Sequence, residues 1–101
     1  MEKSYKFHIG LHVDGAINSL CEVQERKDAA IAIMKRNCPD GFTVTDTNGY
    51  WINAIEPGLV VEVIANDFDY DTVARFIRMT LNQICVLVTI SKPEVYWIVE
   101  G

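Results

Sequence analysis

The residues best suited to bind an anion lie at helical spacing in the second half of the chain. Arg75, Arg78 and Asn82 step by three and four positions, so they share one face of a predicted helix. Two guanidinium groups and an amide can bind a phosphate or a carboxylate. Lys6 could add a further cation, and Glu56 could contact a hydroxyl group of the ligand. The pattern predicts a ligand site, with a solvated helix face as the alternative interpretation.

Aromatic side chains could complete such a site. Tyr50-Trp51 and Tyr96-Trp97 are adjacent pairs in predicted strands, where neighbouring residues point to opposite faces. One residue of each pair should therefore face outward, either to stack on a nucleobase or to pack on a partner chain. We expect Tyr50, Trp51 or Trp97 to contact the base of a nucleotide-like ligand.

Metal binding and catalysis find less support in the residue pattern. His8, His12, Glu62 and Cys85 could share one sheet face, and each is a zinc ligand by type. The two histidines are four positions apart on a strand, roughly 13 Å, so both cannot easily reach one ion. Cys85 lies in an apolar strand, where a thiol is usually inert. Cys38 lies at the end of a helix and has no evident base nearby in the sequence to activate it. We therefore predict no catalytic residue, no metal site and no cofactor.

Alternation and capping signals place these residues on predicted elements. Ser19 precedes Glu22 by three positions, the spacing of a capping box at a helix start. Three aspartates in NDFDYD (66–71) precede the second helix, where carboxylates complement the helix dipole. They lack the glycine and the distal glutamate of a calcium loop. The predicted strands cover 5–13, 42–45, 50–55, 59–65, 84–90 and 95–99, and the predicted helices cover 20–37 and 70–83.

Two short segments are expected to redirect the chain between these strands. Asn48-Gly49 is a strong hairpin signal, because a type I′ turn needs positive φ at both central residues. Glu56-Pro57-Gly58 predicts a bulge or bend in the returning strand.

The order of elements is β-α-β-β-α-β, the ferredoxin-like pattern of an α+β fold. It predicts an antiparallel sheet with both helices on one face, an added C-terminal strand at 95–99, and a single domain over residues 1–101. The other sheet face looks too apolar to remain in water, so we expect that this face, or the edge strand at 95–99, packs on a second subunit of a homo-oligomer.

Composition limits the partners. The net charge of −5 and the pI of about 4.8 argue against a nucleic-acid polymer or an anionic membrane, because both attract basic surfaces. No apolar run approaches the roughly 20 residues of a membrane span. Three cysteines without a CxxC pair are typical of reduced thiols, so we expect a cytoplasmic protein.

Three segments resemble a family of small bacterial and phage proteins of unknown function with the pattern DGFTV…GYW…EP…NQ..V. They are PDGFTVTDTNGYW (39–51), EPGLVVEVI (56–64) and LNQICVLVTI (81–90), and the resemblance extends from about Phe7 to Ile90. The chain departs from the family at Ile84, where a polar and often acidic residue is common. In size and composition it is similar to phage anti-defence sponges of the Thoeris type. That similarity implies an oligomer that binds nucleotide signals at subunit interfaces without cleaving them.

These observations predict a non-enzymatic, oligomeric, phage-encoded protein that sequesters a small anionic nucleotide-like signal in the host cytoplasm. An acidic inhibitor or adaptor of a host protein is the alternative. A small hydrolase that uses His8 or His12 with Glu62 is the least favoured interpretation.

Overall fold

The computed structural model describes residues 2–92 and contains a four-stranded antiparallel sheet with two helices. The strand order β2-β3-β1-β4 confirms the predicted ferredoxin-like α+β fold. The predicted strand at 95–99 lies outside the described residues, as does Trp97. The elements are β1 (Lys3–Gly10), α1 (Leu20–Asn37), β2 (Thr43–Trp51), β3 (Ala54–Ala65), α2 (Tyr70–Thr80) and β4 (Leu87–Ser91).

The core lies between the sheet and the helices, as the alternation in the first strand predicts. Tyr5, Phe7 and Ile9 are buried on one side of β1, and this series continues to Leu11 and Val13 beyond the end of the strand. The same cluster contains apolar side chains from both helices and from β3: Ala30, Ile33, Met34, Val73, Ile77, Leu59, Val61 and Val63. Burial of these side chains removes apolar surface from water and is the main favourable contribution to folding.

Helix α1 has the predicted bounds because both of its ends are capped. The Ser19 hydroxyl accepts a hydrogen bond from the Glu22 amide at 3.2 Å, and the Cys38 amide donates to Met34 O at 2.8 Å. Helix α2 ends at Thr80, three residues before the predicted end at 83. Asn82 adopts a φ of 53°, which takes the chain out of the helical conformation.

The prediction of a turn at Asn48-Gly49 is wrong. Both residues lie within β2, where they pair with Pro57 and Glu56, and strands β2 and β3 are joined at residues 52–53. Among the described residues, only Gly15, Gly41 and Asn82 have positive φ, so the type I′ geometry does not occur at 48–49. Pairing along the whole of β2 bonds backbone groups that an earlier turn would leave unpaired.

The predicted bulge at Glu56-Pro57-Gly58 is also absent, because β3 keeps an unbroken register with both neighbouring strands. Pro57 has no amide hydrogen for the ladder, but its carbonyl accepts a hydrogen bond from the Leu11 amide at 3.0 Å. This bond holds the chain beyond β1 against β3. The segment from β2 to β3 is therefore one long two-stranded ribbon instead of three short strands.

The sheet face away from the helices carries the side chains that the predicted topology assigns to it. Lys6 and His8 of β1 pair with Glu62 and Val60 of β3, and Leu87 and Thr89 of β4 flank them. Within residues 2–92 there is no helix with the length and apolar character that a membrane crossing requires.

Candidate functional site

A cleft with a volume of about 410 Å³ opens where strand β1 ends. Its walls come from the end of β1 and the loop that follows it, from the β2–β3 ribbon, and from the connection between α2 and β4. The lining residues used below are His12, Asp14, Trp51, Glu56, Asn82 and Gln83. Only this fold brings them together, because they are spread over more than 70 positions of sequence.

Among the described residues, Glu56 is one of two carboxylate residues that line the cleft. It is half-buried in β3, opposite Gly49 of β2, and its side chain passes over the backbone of Gly10. A methyl group placed on Gly10 would overlap Glu56 Oε1 and would lie 3.3 Å from Gln83 Oε1. The absence of a side chain at Gly10 therefore creates the space that the Glu56 carboxylate occupies.

Trp51 provides the aromatic surface of the cleft. Its side chain is 67% exposed and turns back over Gly49, so the indole lies on the same face of the ribbon as Glu56. Tyr50 is 75% exposed but projects from the opposite face, since adjacent strand residues alternate. The structure thus decides which member of the pair can face a ligand in this cleft.

The connection after α2 forms the third wall. The backbone amide of Gln83 donates to Arg78 O at 2.9 Å, and the side-chain Nε2 of Gln83 donates to His12 O at 2.8 Å. Gln83 therefore joins the α2–β4 connection to the β1–α1 loop. Asn82, with its φ of 53°, follows the end of α2 and also lines the cleft.

The charge of the lining favours a cationic ligand over the predicted anionic one. Asp14 and Glu56 bring two carboxylates to the cleft, and Trp51 offers an aromatic face that can attract a cation. His8 and His12 are also present. Among the described lining residues there is no lysine or arginine to neutralise these carboxylates.

The predicted cationic residues lie elsewhere. Arg75 and Arg78 line a groove of about 280 Å³ that adjoins the cleft and shares Ile84 and Cys85 with it. The expected helix face that joins the two arginines to Asn82 does not form, because α2 ends first. Arg75 Nε donates to Asp71 Oδ2 at 2.9 Å, and this hydrogen bond and the charge of Asp71 raise the pKa of Arg75. Lys6 lies on the sheet face away from the helices, with its Nζ 3.9 Å from Glu62 Oε2.

Glu62 does not join the two histidines that were considered with it for catalysis. It accepts a hydrogen bond of 2.6 Å from Ser4 Oγ, and it does not line the cleft. His8 Nε2 lies 3.4 Å from Thr89 Oγ1, on the neighbouring strand β4. Across the described part of the chain, no three histidine, cysteine, aspartate or glutamate side chains converge as a metal site would require.

Sequence reasoning missed Gly10 and Asp14 as parts of this site. Gly10 interrupts the outward series of polar side chains in the first strand, which is a recognisable sign of close approach by another group. Asp14 is followed by Gly15, and this dipeptide by itself predicts only a turn. Nothing in the local sequence predicts that Asp14 lines the same cleft as Glu56.

Comparison with solved structures finds the same architecture in an enzyme. A phage SAM lyase in its apo state has a TM-score of 0.60 and 19% sequence identity, over 88% of this chain and 78% of that chain. A phage SAM lyase in complex with S-methyl-5′-thioadenosine has a TM-score of 0.55 and 21% identity, over 90% and 81% of the two chains. No family model and no curated protein matches the sequence.

The prediction of a non-enzymatic nucleotide sponge is therefore wrong, because the solved neighbours are those of a lyase. The phage context of the predicted family agrees with these neighbours, whereas the comparison with Thoeris-type sponges does not. The physical reason for the error is that the polar groups of the cleft come from four separate segments. Because these polar groups are not adjacent in the sequence, no local motif of nucleophile and base residues marks them.

Proposed function

We propose that this protein is a phage-encoded lyase that cleaves S-adenosylmethionine (SAM) and releases S-methyl-5′-thioadenosine. The observation that carries the proposal is the acidic, aromatic cleft around Glu56, in a fold shared with a phage SAM lyase. Acting in the host cytoplasm, such an enzyme would remove a methyl donor, which is an anti-defence role.

The charge distribution of SAM suits this cleft. The molecule carries a sulfonium and an ammonium group against one carboxylate, so its reacting part is a net cation. Glu56 and Asp14 can attract these positive groups, and the face of Trp51 can attract the sulfonium. A cleft volume of about 410 Å³ is within the usual range for a small-molecule site.

The reaction requires one carbon–sulfur bond to break without addition of water. The electron pair of that bond moves to sulfur, and the sulfonium becomes the neutral thioether of S-methyl-5′-thioadenosine. As this bond breaks, the four-carbon fragment is completed in one of two ways. Its own carboxylate attacks the γ-carbon, which is the carbon that leaves the sulfur, and closes a lactone. Alternatively, Glu56 removes a proton from the β-carbon and an alkene forms between the two carbons.

Glu56 has a role on either route. As a carboxylate it holds the ammonium group and so orients the chain for ring closure, and as a base it receives the proton of an elimination. Trp51 and Asn82 are proposed to contact the adenosine part, by stacking and by hydrogen bonds of the amide. The predicted homo-oligomer remains part of the proposal.

The test is incubation of the purified protein with SAM, followed by mass spectrometry of the products. We expect S-methyl-5′-thioadenosine together with either the lactone or the alkene. The two fragments are isomers of equal mass, so the vinyl proton signals in an NMR spectrum of the products distinguish the alkene from the lactone. Glu56→Gln should lower kcat/KM by about 10²-fold, because it removes the charge while it keeps the shape. Glu62→Gln is the matched control on the same sheet face and should retain activity.

The proposal fails if the wild-type protein leaves SAM intact and S-methyl-5′-thioadenosine does not raise its melting temperature. A ligand that binds the native state stabilises it by RT ln(1 + [L]/Kd), so binding without turnover would still be visible. Loss of activity in Glu62→Gln, with Glu56→Gln unaffected, would place the chemistry outside the cleft.

A further inference from the structure

We infer that Arg26 is a positioning residue that holds the β1–α1 loop as one wall of the cleft. This inference rests on the proposed function, because it concerns how the same cleft binds its substrate. Arg26 lies on α1 and does not line the cleft itself. Its effect would therefore pass through the loop of residues 11–19.

The guanidinium of Arg26 makes three hydrogen bonds, all to this loop. Nη1 donates to Leu11 O at 2.8 Å and to Asn18 Oδ1 at 2.7 Å, and Nη2 donates to Ile17 O at 2.8 Å. The three acceptors come from both ends of the loop. The planar guanidinium can bond them together because its donors are fixed in a fork.

Asn18 closes the loop from within. Its Oδ1 accepts a hydrogen bond from the Val13 amide at 2.9 Å, and its Nδ2 donates to Val13 O at 3.2 Å. Arg26 and Asn18 thus form one network, in which Asn18 Oδ1 accepts from both Val13 and Arg26. The backbone carbonyls of Leu11, Val13 and Ile17 thus accept hydrogen bonds from the side chains of this network.

The part of the loop that these hydrogen bonds fix is the part that lines the cleft. His12 and Asp14 line the cleft, and they flank Val13, which Asn18 bonds on both its amide and its carbonyl. On the other side, Gln83 Nε2 donates to His12 O at 2.8 Å. The wall between Arg26 and Gln83 is therefore bonded from two directions.

The arrangement predicts an effect on binding more than on the chemical step. Glu56 is placed by the pairing of β3 with β2, opposite Gly49. The loop contacts this part of β3 through its first residue, since the Leu11 amide donates to Pro57 O at 3.0 Å. Release of the loop would move Asp14 and His12 while Glu56 keeps its position. The KM for SAM should then rise, and kcat should change little.

The experiment compares Arg26→Ala, Arg26→Lys and Lys27→Ala in steady-state cleavage of SAM. Arg26→Ala should raise KM about tenfold, equivalent to about 1.4 kcal/mol, with kcat within about twofold. Arg26→Lys should recover part of the loss, because an ammonium group can reach some of the same acceptors. Lys27 is the next residue of α1, and its Nζ donates to Asp46 Oδ1 of β2 at 2.7 Å instead of to the loop. Lys27→Ala is therefore the control and should keep the wild-type KM.

A second variant protects the test against a failure of Arg26→Ala to fold. Asn18→Ala leaves helix α1 intact and removes both the Val13 pair and one Arg26 contact. It should also raise KM, and the double variant should be far from additive, because both residues act through one loop. Hydrogen exchange should show faster exchange of the Val13 amide in either single variant.

The outcomes separate this inference from the proposed function. A wild-type protein that neither cleaves SAM nor binds S-methyl-5′-thioadenosine overturns the proposed function. An active wild type whose KM is unchanged in Arg26→Ala and Asn18→Ala overturns the role of Arg26 alone. Equal loss in Lys27→Ala, or a fall in kcat at constant KM, overturns it as well.

Discussion

Replacement of Gly10 by alanine should separate activity from stability at this site. Gly10 lies in β1 with a backbone conformation that any residue can adopt, because its φ is not positive. An added methyl group would overlap Glu56 Oε1, the far end of a flexible side chain. The carboxylate must therefore move away, whereas the backbone of the sheet can stay in place.

The expected magnitudes follow from this geometry. A displacement of the Glu56 carboxylate by about 1 Å would lower kcat/KM about 10²-fold, or about 2.7 kcal/mol in transition-state binding. The free energy of unfolding should change by less than about 1 kcal/mol. Contact with Glu56 costs stability, but alanine is favoured over glycine within a strand by about 0.5–1 kcal/mol.

Two other glycines provide matched controls. A methyl group on Gly58 would lie 2.7 Å from Ile9 O and 3.0 Å from Thr47 Oγ1. Gly58→Ala should therefore destabilise the fold by about 1–3 kcal/mol, because the backbone carbonyl of a central strand cannot yield. Gly49→Ala should be tolerated, since its methyl group would lie 3.5 Å from Trp51 Nε1, an ordinary contact.

The assay pairs SAM cleavage with urea unfolding for all three alanine variants. If Gly10→Ala retains the wild-type kcat/KM, then the position of the Glu56 carboxylate over Gly10 has no part in the reaction. If Gly10→Ala unfolds as easily as Gly58→Ala, the distinction between a flexible and a fixed neighbour is refuted.

Three further predictions concern residues outside the cleft. The Arg75→Ala/Arg78→Ala double variant should cleave SAM within about twofold of the wild-type rate, because neither side chain lines the cleft; a tenfold loss would contradict this. Burial raises the pKa of the Cys38 thiol above its ordinary value of 9.0, so the native state keeps this proton after the unfolded chain has lost it. Urea unfolding at a series of pH values should show the free energy of unfolding falling as pH rises above 9.0. In Cys38→Ala this fall should be shallower, not steeper. Ser19→Ala removes the cap of α1 and should cost about 1 kcal/mol in thermal unfolding, whereas an unchanged melting temperature would show that the cap contributes nothing.

Much of the fold could be predicted because its signals are local. The alternation from Tyr5 to Val13 identifies the buried face of β1, and all five apolar residues of that series are buried. The capping box at Ser19 places the start of α1 correctly. The order of the elements then leaves few antiparallel topologies, and the observed strand order is the predicted one.

The errors at the β2–β3 ribbon have a physical reason. Asn48-Gly49 has a high intrinsic preference for a turn, but pairing with Glu56 and Pro57 satisfies the backbone there without one. Pro57 is likewise accommodated, since its carbonyl bonds Leu11 beyond the end of β1. Tertiary pairing therefore outweighed the local preference at each position.

The amino-acid sequence alone determined the class of fold, the start of helix α1 and the buried face of β1. Only the tertiary structure decided that Glu56 lies over Gly10, beside Gln83, and that Asp14 lines the same cleft. These residues are far apart in sequence, and no periodicity relates them. Their approach depends on the register of three strands and on the bonds that hold the loop after β1. For that reason the sequence pointed to an anion site on a helix, whereas the folded chain presents an acidic cleft suited to a cation.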